Sequence, residues 1–296
     1  MALSNWANRN IKWLFILPAA LFVAVMMIFP ILYTLRLSLY RWSGSNTDPP
    51  QWVGLNNYTT LLSTDPRFTA ALVRTFEFTI GAVAVELILG VAIALLLRGS
   101  FRGQHVVKTL ILLPMVATPV AMGMAWLLMF EPTIGFANAV LQRFHIPAQG
   151  WLADTNQALP SLMLVDVWEW TPMIALIALA GLATLPEEPI EAARVDGANA
   201  WQRFIHITLP LLAPTLVVAT LLRAIDALKT FDIIYTMTQG GPGFATETLN
   251  IYSYTQGFGY FQLGMASSLL EIFFAIVLAV SLVFSAIRNR WGTANE

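Results

Sequence analysis

The sequence predicts an all-α integral membrane protein with six transmembrane helices. Of its 296 residues, 57% are hydrophobic and 11% are charged, whereas a soluble domain carries roughly 25% charged residues. Six apolar runs are each long enough for the roughly 20 residues that a spanning helix needs. None shows the alternation of apolar and polar residues expected of a membrane β-barrel strand. Because backbone in lipid must satisfy its own hydrogen bonds, each run is expected to be a helix.

The positions and orientation of the spans follow from hydropathy and charge. The predicted spans are residues 13–35, 72–97, 109–130, 159–183, 208–230 and 264–287. The first is longer than the roughly 7–15 apolar residues of a secretory signal, so we interpret it as an uncleaved span. Lys and Arg favour one set of span ends, most clearly in the loop 98–108 and in the tail after residue 287. The positive-inside rule therefore predicts that both termini are cytoplasmic.

The composition also argues against several kinds of site. The chain has no Cys, which excludes disulfides, thiolate zinc sites and Cys nucleophiles. Its three His are scattered without ligand-like neighbours, so neither a metal centre nor a catalytic residue is predicted. The net charge of −1 gives no reason to expect a nucleic-acid partner.

A charged stretch, "EAARVDGANAWQRFIHITLP" (191–210), separates the fourth and fifth spans. Pro189 suits the first turn of a helix, and Asp196-Gly197 is typical of a turn or helix stop. Asn199 followed by Gln202 indicates a capping box at the start of a second short helix. The pattern predicts a helix–turn–helix at the cytoplasmic surface, although an ordinary solvated loop would also be charged. The apolar face of the second helix is Trp201, Phe204, Ile205 and Thr208.

This stretch also matches a long fixed pattern at every position: E-A-A, three residues, Gly, nine residues, then Ile-x-Leu-Pro. Through it the chain resembles the inner-membrane permeases of ATP-binding-cassette importers. The segments "FEPTIGFANAVLQRF" (130–144), "GWLADTNQALP" (150–160) and "TQGGPGFATETL" (238–249) are similar to carbohydrate-type, maltose-permease-like members, in the same order. The resemblance implies a type I importer permease fold in which the loop is a coupling helix seated in a cleft of the ATPase subunit. The implied ATPase-coupling residues are Glu191, Ala192, Ala193, Asp196, Gly197, Trp201, Phe204, Leu209 and Pro210.

The same resemblance implies partners and a location. They are a second homologous permease, two ATP-binding-cassette ATPase subunits, an extracytoplasmic solute-binding protein and the lipid bilayer of a bacterial inner membrane. No GxxxxGK[ST] occurs in the chain, so ATP and Mg are expected on the ATPase subunits, with no cofactor in this chain. The expected domains are a cytoplasmic N-terminus (1–12), the first helix (13–40), a periplasmic loop (41–71), a permease core of five helices (72–287) with the coupling loop (184–207), and a cytoplasmic tail (288–296).

Ionisable residues inside the spans indicate where a solute would bind, because charge is costly there. Two polar faces with i, i+3, i+4, i+7 spacing lie at similar heights, roughly 20–30 Å from the cytoplasmic span ends. The resemblance places the sugar contacts of maltose-type permeases on these faces. The predicted substrate-binding residues are Asp166, Glu169, Trp170, Met173, Arg223, Asp226, Ala227 and Thr230.

Other interpretations of these residues stay open. Carboxylates and an indole suit a sugar, while Arg223 also leaves an acid-substituted sugar possible. Alternatively, Arg223 and Asp226 pair with each other or with Lys229 and Asp232. The remaining span carboxylates are interpreted as structural: Glu77, Glu86 and Glu271.

Rival functions are weaker. A permease for another polyol or a phosphate-bearing solute would differ only in cargo. A secondary transporter would be expected to show an internal repeat, which is not evident. A membrane enzyme would depend on Asp166 and Glu169, the one close carboxylate pair within a span, without His, Cys or metal ligands nearby.

Overall fold

The computed structural model describes residues 2–45, 47–99 and 101–292, and helices dominate this part of the chain. Two short strands, β1 (Tyr40–Arg41) and β2 (Gln51–Trp52), pair antiparallel. The predicted helical class is therefore confirmed, while Met1 and residues 293–296 of the predicted terminal segments lie outside the described residues. The α-helices are α1 (Ala2–Ser38), α2 (Asn56–Ser63), α3 (Pro66–Leu97), α4 (Gln104–Val116), α5 (Pro119–Met129), α6 (Phe136–Arg143), α7 (Ala158–Ala183), α8 (Glu188–Val195), α9 (Ala200–Arg203), α10 (Leu209–Leu228), α11 (Asp232–Met237), α12 (Leu249–Tyr254) and α13 (Leu263–Gly292).

Five helical stretches in the described residues are long and apolar enough to cross a membrane by themselves. They coincide with the predicted first, second, fourth, fifth and sixth spans, and a sixth crossing results if α4 and α5 are counted together. The five stretches are Phe15–Ser38, Pro66–Leu97, Ala158–Ala183, Ala200–Leu228 and Leu263–Ile287.

The third predicted span, 109–130, is not one helix, and that prediction was wrong. The axes of α4 and α5 differ by 95° across a short break. At the break Ala117 and Thr118 are extended, with ψ angles of 151° and 141°. The cause is Pro119, which disfavours helical backbone in the residue before it and itself suits the first turn of a new helix.

The chain divides into two compact units. The first combines the residues up to Asp65 with Ser253–Phe274, and the second combines Pro66–Tyr252 with the residues from Ala275 onward. Within the first unit, Ser38 accepts hydrogen bonds from two side chains of α2. The Asn57 side-chain amide donates to the Ser38 carbonyl at 2.7 Å, and the Tyr58 hydroxyl donates to the Ser38 hydroxyl at 2.6 Å. Burial raises the pKa of Tyr58, so this phenol stays a neutral donor.

In the second unit, α3, α7 and α10 pack through glycines that permit close approach. A Cβ on Gly90 of α3 would lie 2.7 Å from the Ile174 side chain of α7. A Cβ on Gly181 of α7 would lie 2.7 Å from Leu212 of α10. Small residues at such contacts are how helices pack closely in lipid, where the hydrophobic effect does not drive them together. An apolar cluster in this unit joins α3 and α7 to α11 and consists of Phe78, Phe130, Leu159, Leu162, Val165, Ile233, Ile234, Met237 and Ile251.

Candidate functional site

The charged loop between α7 and α10 begins with α8, which is short and exposed. Pro189 occupies its first turn, where its missing N–H would have no partner in any case. Glu188 and Glu191 lie in the same turn, near the positive end of the helix dipole. The predicted helix start is confirmed.

Helix α8 stops at Gly197 in a Schellman motif. The Ala198 N–H donates to the Ala193 carbonyl at 2.9 Å, and the Gly197 N–H donates to the Arg194 carbonyl at 3.1 Å. Gly197 has φ of +81°, a region that residues with a Cβ rarely adopt. The space around Gly197 is open, so an added Cβ would not clash with other atoms. The glycine is therefore needed for its positive φ and not for close packing.

The predicted capping box is present beyond the stop. The Gln202 N–H donates to Oδ1 of Asn199 at 2.9 Å, and the Asn199 N–H donates to Oε1 of Gln202 at 2.8 Å. Asn199 thus satisfies one of the donors that a helix start leaves free. Gln202 returns the bond to the cap residue.

The prediction of a separate second short helix was wrong. The helix that starts at Ala200 continues to Leu228 through a π-helical turn, Phe204–Thr208. The Leu209 N–H donates to the Phe204 carbonyl, five residues earlier. Pro210, which has no N–H, follows at the start of α10, and the wider turn is how the helix passes this proline without breaking. The loop is therefore joined rigidly to the fifth span.

The predicted coupling residues divide by exposure. Phe204 and Leu209 are half-buried and pack against the α3–α7–α10 core, and Ala193 is half-buried too. The others face outward, with Trp201 69% exposed. Val195, at the end of α8 and not among the predicted coupling residues, is 89% exposed. The exposed members are Glu191, Ala192, Asp196, Gly197, Trp201 and Pro210.

A buried charge cluster lies between the three core helices. The Arg223 guanidinium of α10 donates from Nε and Nη2 to the Glu86 carboxylate of α3, at 2.7 and 3.0 Å. Nη2 also donates to Asp166 of α7. All three residues are fully buried. The interpretation of Glu86 as a residue facing another helix agrees with this contact. The sequence did not identify Arg223 as the partner of Glu86, because the two residues are 137 positions apart.

Four of the eight predicted substrate residues line one cavity of about 220 Å³. They are Asp166, Trp170, Asp226 and Thr230. The other four do not line it: Arg223, Glu169 and Ala227 are buried between helices, and Met173 is half-buried elsewhere on α7. The cavity has five further lining residues that the prediction omitted, namely Pro119, Lys229, Phe231, Asp232 and Ile233.

Pro119 is the most informative of these additions. It places the break between α4 and α5 at the cavity wall. Non-helical backbone at membrane depth is tolerated only where it is buried in protein or lines a water-filled space. The Thr118-Pro119 pair is the sequence signal for this break, because a residue before proline disfavours helical backbone. The prediction of one helix over residues 109–130 did not take it into account.

Two of the family-like segments, 130–144 and 150–160, pack together. Asn138 accepts from the Trp151 indole at 2.8 Å and from the Gln149 N–H at 2.9 Å, and the Trp151 ring stacks on Phe130 at 4.8 Å. Beside them, the Glu131 carboxylate accepts from the N–H groups of Thr133 and Ile134. The Ile134 N–H contributes most to lowering the pKa of Glu131, followed by the Thr133 hydroxyl, which also donates to this carboxylate.

The third such segment, 238–249, is fixed to the start of α3. The Arg67 guanidinium donates to both oxygens of Glu247 at 2.6 Å and lies 4.0 Å from the centre of the Phe244 ring. Thr246 donates to the Gly241 carbonyl at 2.7 Å, which closes the glycine-rich turn.

The chain matches, over residues 86–292, the protein family described as "Binding-protein-dependent transport system inner membrane component". It belongs to this family. The protein is therefore an inner-membrane permease subunit of an ATP-binding-cassette transporter, as the coupling-loop pattern indicated.

The permease has close relatives along most of its length. It is 39% identical to the probable ABC transporter permease protein y4oQ of Sinorhizobium fredii, over 92% of this chain and 87% of the relative. It is 36% identical to the trehalose/maltose transport system permease protein MalF of Thermococcus litoralis, over 95% of this chain and 94% of the relative. It is 34% identical to the sulfoquinovosyl glycerol transport system permease protein SmoG of Agrobacterium fabrum, over 94% of this chain and 90% of the relative.

Solved structures are similar in fold. One chain of a bacterial alginate ABC transporter, crystallised with an alginate pentasaccharide-bound periplasmic protein, superposes with a TM-score of 0.83 over 98% of both chains. The sequence identity is 18%, so this likeness concerns the fold alone.

Proposed function

We propose that this permease forms half of a pathway for uptake of a sugar or sugar derivative, with six spans and both termini in the cytoplasm. A second, homologous permease forms the other half, an extracytoplasmic solute-binding protein delivers the solute, and two separate ATPase subunits hydrolyse ATP. Support for the cargo comes from relatives named as trehalose/maltose and sulfoquinovosyl glycerol permeases. The chain itself performs no chemistry on the solute and needs no cofactor of its own.

The observation that carries this proposal is the geometry of the loop. Rigid turns hold its exposed residues, and its second helix is continuous with α10, which contributes Asp226 to the cavity. A push on the exposed face of α8 would therefore move one wall of the cavity, because little of the displacement would be absorbed by bending of the loop. Closure of the two ATPases supplies that push, and the spans alternate between inward- and outward-facing states.

Gly197→Pro tests the coupling role of the loop. Proline fixes φ near −65°, so it is incompatible with the +81° of the Schellman stop. We expect the variant to insert into the membrane but to lose solute uptake in cells that express the complete importer. Uptake of the radiolabelled solute is measured beside the amount of inserted chain.

Gly243→Pro is the matched control. Gly243 also has positive φ and open space, but it lies in the turn after α11, away from the loop. Uptake at the normal level by Gly197→Pro, or equal loss in both variants, would contradict coupling through this loop. Purification with bound ATPase and second permease tests the assembly independently.

A further inference from the structure

One guanidinium lies close to the cavity, next to two of its lining carboxylates, and its charge is already balanced. Arg223 is fully buried and does not line the cavity. Two carboxylates, Glu86 and Asp166, accept its hydrogen bonds, and Oδ2 of Asp226 lies 3.6 Å from Nη1. The Trp170 ring covers the guanidinium at 5.3 Å. Because an anion would meet these carboxylates as well as the cation, Arg223 provides it with little attraction.

The side chains that do line the cavity carry an excess of acids. Together with the adjoining cluster, four acids are set against two bases: Asp166, Asp226, Asp232 and Glu86 against Lys229 and Arg223. The excess persists if one of the four acids is protonated. A cleft with one dominant sign of charge and low-dielectric walls focuses its field, so the cavity repels anions and attracts cations.

Helix ends do not reverse this balance. The start of α5 at Pro119 brings roughly half a positive charge to the cavity. The end of α10 at Leu228, next to the lining residue Lys229, brings roughly half a negative charge. The start of α11 at the lining residue Asp232 adds a further partial positive charge, so the three helix ends together bring at most about half a positive charge. This is smaller than the excess of negative charge on the side chains, which therefore decide the sign of the potential.

The acids also have hydrogen-bonding capacity to spare. The Asp226 side chain is 48% exposed. Oδ1 of Asp166 has no hydrogen-bond partner among the described residues, although the residue is fully buried at the cavity wall. A buried acceptor without a partner is costly, and a hydroxyl donor from a solute would relieve that cost.

We propose that this cavity accepts polyhydroxylated solutes that carry no negative charge and discriminates against anionic ones. Hydroxyl groups donate to Asp166 and Asp226, while carboxylated, sulfonated or phosphorylated sugars are repelled. This inference rests on the proposed transport function, and it removes the acid-substituted cargo that Arg223 leaves open in the sequence.

The charge of the cavity can be measured without knowing the solute. The chain has no Cys, so Thr230→Cys places a single thiol at the cavity, and Ala148→Cys places one in an exposed loop as the reference. The rate of modification is measured by mass spectrometry of the full chain, in the complete importer. The reagents are the cationic 2-(trimethylammonio)ethyl and the anionic 2-sulfonatoethyl methanethiosulfonates.

We expect the cation-to-anion rate ratio at Thr230→Cys to exceed that at Ala148→Cys by about fivefold or more. In the background Asp226→Asn with Asp232→Asn, the ratio should fall to the reference value. A ratio equal to or below the reference would overturn the proposal, as would failure of either reagent to reach the thiol.

Uptake separates this proposal from the broader one. Import of a purely anionic sugar by the importer would overturn the charge inference and leave the transport function intact. Absence of uptake of any sugar, with the expected labelling ratio, would overturn the transport function and leave the charge of the cavity intact.

Discussion

The loop 188–203 and the cluster around Arg223 both concentrate charge, but the two regions use it differently. In the loop, Glu191 and Asp196 are exposed, and the fold is held by backbone devices, namely the Schellman stop and the capping box. In the cluster, Arg223 and its partners are buried and bonded to one another across three helices. The exposed charges of the loop are available to bind a partner chain, whereas the buried charges of the cluster are paired with one another inside the fold.

The largest expected effect comes from breaking the buried cluster. Arg223→Met leaves Glu86 and Asp166 buried without a cation and should reduce the free energy of unfolding by about 3–5 kcal/mol. Thermal unfolding of the detergent-solubilised chain measures the loss.

The matched control for that variant removes all three charges together. Arg223→Met with Glu86→Gln and Asp166→Asn should recover most of the stability, because no uncompensated charge remains. If the single variant were as stable as the wild type, or the triple variant less stable than the single one, the cluster would not hold the helices as described.

A smaller effect on stability is expected from breaking the capping box of the loop. Asn199→Ala removes the acceptor for the Gln202 N–H and should cost about 1 kcal/mol of local helix stability. Hydrogen exchange of the amides in residues 200–203 reports the local opening. Asn199→Asp keeps an acceptor at the same place and should exchange at nearly the wild-type rate; faster exchange in both variants would contradict the role of the cap.

The smallest effect on stability is expected at an exposed loop charge. Glu191→Gln should change the free energy of unfolding by only about 0.3 kcal/mol, the contribution of an exposed acid near a helix N-terminus. Uptake should nevertheless fall roughly tenfold, the effect of losing one charge-assisted hydrogen bond to a partner chain. The two results together sharpen the comparison, and an unchanged rate of uptake would remove Glu191 from the proposed contact.

The buried cluster also shows where prediction from local sequence ends. The i, i+4 spacing placed Asp166 and Trp170 on one face, and both line the cavity. The same reasoning placed Arg223 beside a solute, yet its nearest groups are Glu86 and Asp166 from two other helices. Periodicity defines the faces of one helix, but not which residues of other helices fill the space opposite.

The third span gives the complementary case. Hydropathy identified residues 109–130 as apolar enough to cross a membrane but carried no information on the direction of the backbone. Pro119 breaks the helix, and the 95° bend brings that break to the cavity wall. Average hydropathy is insensitive to a single proline that changes the path of the backbone.

The sequence by itself determined the helical class, five of the spans and the loop devices at Gly197 and Asn199. These depend on composition or on residues within about five positions of one another, so local chemistry is sufficient. Only the tertiary structure decided that Arg223 is neutralised by Glu86 and Asp166, and that the break between α4 and α5 lies at the same cavity as Asp226. Those outcomes depend on residues far apart in the chain, which come together only when the helices pack.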